Sequence, residues 1–139
     1  MVHALEMVHS LLKPEGRLID IHPSGEPPAF IVRSGAHDEI AGWLQEKDDF
    51  IEYQQAEAAL AQAVKERWFT REQQREFIFN NYAETIAELA AYLTANWSDA
   101  IILPETVAQA DALQRAAQGK SKVLLRENAR ISRFRPEHR

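Results

Sequence analysis

Two residues near the start of the chain, Asp20 and His22, have the types and the spacing for proton chemistry. They alternate with Ile19 and Ile21 in RLIDIHP, residues 17–23. Residues two apart in a strand share a face, so a carboxylate and an imidazole are set side by side. A carboxylate that orients an imidazole is a workable general base. The pair also falls at the carboxyl end of its strand, where α/β proteins collect ligands. The plainer reading, which the residues alone favour, is that both cap the strand or bind loop backbone.

Other chemistries have less to work with. The remaining histidines (His3, His9, His37, His138) are scattered, and no two sit at i, i+4 on a helix, so no metal site is expected. His3 and His9 lie near the first helix and read as surface or partner contacts. The chain has no cysteine, which excludes disulfides and thiolate zinc. It also lacks a G-x-S-x-G nucleophile elbow. The glycines (Gly16, Gly25, Gly35, Gly42, Gly119) do not have the strand-to-helix spacing that a phosphate loop requires. Trp43, Trp68, Trp97, Tyr53 and Tyr82 fall at core positions of their elements. No catalytic residue stands out.

The elements that must position these groups are readable in order. Leu5, Val8, Leu11 and Leu12 recur at helical spacing over 3–13, closed by Pro14 and Gly16. Residues 17–22 read as a strand with Ile19 and Ile21 on one face and Leu18 on the other. After the turn PSGEPP, residues 29–33 and 39–46 flank SGAHD as a β-hairpin. Asp48 or Asp49 is a suitable N-cap for a helix over 50–68, with Tyr53, Ala56, Leu60, Val64 and Trp68 as its apolar stripe and Glu57 on its exposed side. A strand follows over 74–82, with Phe77 and Phe79 on one side. A helix then presents Ile86, Leu89, Ala90 and Leu93. Pro104 opens another helix, stopped by Gly119. The last strand, KVLLRENARISRF, directs Val123, Leu125, Ala129 and Ile131 inward, interrupted by Glu127.

At 139 residues, with no repeat and no long linker, residues 1–139 are expected to form one α+β domain. A domain of that size buries roughly 68–70% of its unfolded surface. No apolar run approaches a membrane span, and the start resembles no signal peptide, so a soluble cytoplasmic protein is expected. The net charge of −5 argues against a nucleic-acid partner. Residues 120–139 are basic, and the charge pattern favours a solvated strand face that balances acidic helices.

Three segments, in order, carry a resemblance. ALEMVHSLLKPEGRLIDIHP resembles the helix, LKPGG-like turn and fifth strand of class I S-adenosylmethionine-dependent methyltransferases. REFIFNNYAETIAELAAYL followed by NW resembles the family's late strand and next helix. KVLLRENARISRFRP looks like its final strand, which lies between the fifth and sixth. Hairpin 29–46 and helix 50–68 look like an insertion. The resemblance implies a partial α/β arrangement: a mixed sheet of the family's late strands with an inserted hairpin and packed helices.

The family's cofactor site lies in its first half, in a glycine-rich loop and a ribose-binding carboxylate, and neither is present here. No cofactor-binding residue carries over, and S-adenosylmethionine is expected only if a separate chain supplies that half. Asp20, His22 and Glu26 match the rim that faces substrate in the family. The expected role is a non-catalytic methyltransferase-like remnant, inactive alone. The alternatives are the substrate-side subunit of a two-chain methyltransferase, or a small ligand-binding module using a pocket between hairpin 29–46 and His22. The family's fifth strand is central, so one edge at Leu18, Ile19 and Ile21 is expected to be open and to drive association, either as a homodimer or with a complementary chain. The hairpin folding back over that edge is the other way to cover it.

Overall fold

A computed structural model describes residues 1–138. The elements run α1 (Val2–Leu11), β1 (Leu18–Pro23), β2 (Ala29–Ser34), β3 (His37–Trp43), β4 (Gln45–Glu46), α2 (Ile51–Lys65), β5 (Phe69–Ala83), α3 (Ile86–Asn96), β6 (Ala100–Ile101), α4 (Pro104–Ala116) and β7 (Lys122–Pro136). This is an α+β chain whose described strand registers are all antiparallel, where a mixed sheet was expected. The reason lies in β7. It pairs with β1, β2 and β5, so these strands meet β7 rather than a parallel neighbour. The chain divides into two compact units, described separately.

The first unit comprises residues 1–25, 51–77 and those from 129 onward. Gly16 N donates to Lys13 O at 2.9 Å, closing the turn that follows Pro14 and ends α1. β1 pairs with β7 from Leu18 opposite Phe134 to Pro23 opposite Ala129. Gln74 reaches Ser132 and Arg130 reaches Glu76, so β5 runs antiparallel along the other side of β7. Cross-strand partners share a face. Leu18 and Phe134 therefore turn together onto the core of Leu5, Ala59, Leu60, Ala63 and Phe69. The opposite parity leaves Ile19 50% and Ile21 59% exposed.

Several expected core positions differ. Val64 is exposed, and α2 instead rests on Ala59, Leu60 and Ala63, where the two alanines let α1 approach closely. Leu11, at the last position of α1, is 83% exposed. In β7 Ala129 is buried as expected, and beyond it this unit buries Ser132 and Phe134 rather than Ile131. His9 is half-buried: it bonds Glu137 O at 2.8 Å and meets Phe69 edge-on, tying α1 to the end of β7.

In the second unit (residues 26–50 and 78–128), β2 lies between β3 and β7. Phe30, Ile31 and Val32 are consecutive and all buried, as are Val123, Leu124 and Leu125 opposite them, so both faces are covered here. The α4 helix lies on β2 and β3, and α3 lies on α4. A Cβ at Gly42 would stand 2.2 Å from Thr106 Oγ1, so only glycine lets α4 settle on β3 there. Alternation then turns Trp43 outward, 54% exposed, where a core position was expected. Tyr82, also expected in the core, is 54% exposed and accepts from Arg33 Nη1 at 3.0 Å. Thr85 caps α3, accepting from Glu88 N at 3.1 Å.

The entry to α2 differs from the expected carboxylate cap. Asp49 and Phe50 both take left-handed backbone, φ 55° and 62°, whereas an N-cap residue is ordinarily extended. Among the described residues, no helix is long and apolar enough to cross a membrane.

Candidate functional site at the end of the first strand

Asp20 and His22 come from one strand face, as their alternation requires, and they touch. Asp20 Oδ2 lies 2.5 Å from His22 Nδ1. The other ring nitrogen is also taken, because Glu57 Oε1, from α2, lies 2.8 Å from His22 Nε2. A carboxylate oxygen therefore stands at each ring nitrogen, and the imidazole has a hydrogen-bond partner on both sides. Arg130, opposite His22 on β7, extends the chain of charges: its Nη1 lies 2.9 Å from Glu57 Oε1 and its Nη2 lies 2.7 Å from Glu76 Oε1.

Burial tightens these contacts. The His22 side chain is 10% exposed and that of Asp20 17%, so little water competes for the imidazole. For Glu57, burial works to raise the pKa, but the hydrogen bond and charge of Arg130, aided by His22, outweigh it and hold the carboxyl below its usual range.

The plainer expectation for Asp20 and His22 is a strand cap or a bond to loop backbone. Their partners are instead each other and Glu57, a side chain on α2. A free base needs one nitrogen open to substrate, and here both are occupied. The arrangement does the work of a tie between β1, α2, β7 and β5.

Glu26 belongs to the second unit, where Asn128 Nδ2 donates to its Oε2 at 2.6 Å. It lines a cavity of about 740 Å3 walled by hairpin residues together with Arg126 and Asn128. His22 is not among the lining residues, so the pocket expected between the hairpin and His22 lies with Glu26 alone.

Sequence reasoning missed Glu57 and Arg130. The stripe puts Glu57 on the exposed side of its helix, although it stands one position from Ala56. Four cations of the basic stretch are paired: Lys122 with Glu84, Arg126 with Asp38, Arg130 with Glu57 and Glu76, and Arg133 with Glu72. The guanidinium of Arg33, then that of Arg126, brings Asp38 down to about 2 against partial burial. Among the described residues, no group of histidines and carboxylates is set to hold a metal ion.

Comparison with family models, with curated proteins and with solved structures finds no match.

Proposed function

We propose that this chain is a non-catalytic, methyltransferase-like unit that acts by association, with β1 as the docking edge and a second copy of the chain as its occupant. The observation that carries the reading is the state of β1. Among the described residues it pairs with β7 alone, while Ile19 and Ile21 stand half-exposed along it. Among the described residues, hairpin β2–β3 makes its strand pairing to β7. An apolar edge with open N–H and C=O groups is a template for strand addition. A two-fold axis normal to the sheet keeps like faces together, so Ile19 and Ile21 of both copies form one apolar strip.

The family likeness is supported by strand order: β7 lies antiparallel to β1 and between β1 and β5, the place that the resembling family gives its final strand. Asp20 and His22 match only the family's substrate-facing rim, and His22 has both ring nitrogens engaged within the protein. The proposed location is the cytoplasm.

Light scattering coupled to gel filtration tests the association. A dimer is expected at ~100 μM, well above the micromolar dissociation constants of ordinary dimers. The double variant Ile19→Lys, Ile21→Lys should be monomeric with unchanged circular dichroism, since both side chains already face solvent. A monomeric parent chain overturns self-association, and a dimer that survives both lysines moves the interface elsewhere.

A further inference from the structure

We propose that the cavity of the second unit binds an organic ammonium ion that carries a flat apolar group. At about 740 Å3 it has the size of a small-molecule site. Its walls combine an aromatic surface with an excess of negative charge. The indole of Trp43, more than half exposed, forms one side, and buried Phe50 forms part of the lining. Glu26, Glu46 and Asp49 line it with carboxylates, against the single cation Arg126. That cation is already matched: Arg126 Nη2 donates to Asp38 Oδ2 at 3.1 Å, and its Nε donates to Asn80 at 3.3 Å. An anion would meet repulsion here, while an ammonium ion meets carboxylates and an aromatic wall, groups that attract it.

The walls are held in place before any ligand arrives. Trp97 Nε1 donates to Glu46 Oε1 at 2.5 Å, and β4 and β6 pair Glu46 with Ala100. Leu44 N donates to Pro28 O at 2.9 Å, which fixes the chain beside Trp43. Asp49 and Phe50 hold left-handed backbone in the same wall. Burial, with Asp48 and Asp99 close by, pushes Glu46 above the usual carboxylate value, so a cation placed beside it would be stabilising.

The site is independent of the β1 edge and stands whether or not the chain dimerises. Three probes of one shape separate charge from apolar fit: phenethylammonium, 2-phenylethanol and 3-phenylpropionate. Amide chemical shifts and tryptophan fluorescence of the full chain should saturate with phenethylammonium at a dissociation constant near ~1 mM or below. The alcohol should bind at least about tenfold more weakly, corresponding to the loss of one charged contact. The carboxylate should not bind. Trp43→Ala and Asp49→Asn should each weaken the amine by a similar factor. Trp43 is exposed and asparagine tolerates left-handed backbone, so both variants should keep the parent's circular dichroism. Failure to saturate by ~10 mM, equal binding of amine and alcohol, or amine binding unchanged in both folded variants would overturn the assignment.

Discussion

Replacing Glu57 by alanine removes the centre of the charged chain at β1. In the parent, Glu57 Oε1 serves His22 Nε2 at 2.8 Å and Arg130 Nη1 at 2.9 Å. A net hydrogen bond to a charged group contributes about 1.5–3 kcal/mol. Two such bonds set an upper bound that the structure lowers. Arg130 keeps Glu76, and Glu57 is 29% exposed, so water can replace part of what is lost. The expected loss is ~1–2 kcal/mol, or roughly 3–10 °C in Tm for a chain of this length. Thermal and urea unfolding at pH 7 measure it.

The pH dependence is a second reading of the same event. The folded pKa of Glu57 lies below the usual 4.5, so its contribution is complete above that value and fades as pH falls through the folded pKa. The gap between parent and variant should therefore close on acidification below about pH 4.5. A double-mutant cycle with His22→Ala should return a coupling of ~0.5–2 kcal/mol. A Tm change under about 1 °C at neutral pH, or a gap that is indifferent to acid, would refute the reasoning.

Two further outcomes follow from burial. Leu60, 5% exposed among Leu5, Ala63 and Phe134, should lose ~2–5 kcal/mol on substitution by alanine, read from urea midpoints. Glu127 is half-buried in β7, and burial raises its pKa. A raised carboxyl supports the fold below its unfolded pKa, and that support is lost as pH rises through the folded value. Glu127→Gln should thus be more stable than the parent at pH 7, by up to about 1 kcal/mol, and equal to it near pH 3. Equal midpoints at both pH values would place Glu127 in water.

Much of the element order was legible locally because punctuation and period are local properties. Pro14 and Gly16 closed α1, Pro104 opened α4, and alternation separated Leu18 from Ile19 and Ile21. The contact between Asp20 and His22 was legible for the same reason, since residues two apart on a strand must share a face. Glu57 was not legible as their partner. Thirty-five residues separate it from His22, and whether a helix position faces solvent or sheet depends on the rotation of that helix in the tertiary packing. The same holds for Val64, displaced from the core when α2 settled on its alanines, and for Trp43, turned outward once Gly42 met Thr106. Hydrophobic pattern on its own specifies which elements form and which face of each is apolar. Only the packed structure decides how far each element turns, because that rotation is set by steric fit between side chains distant in sequence.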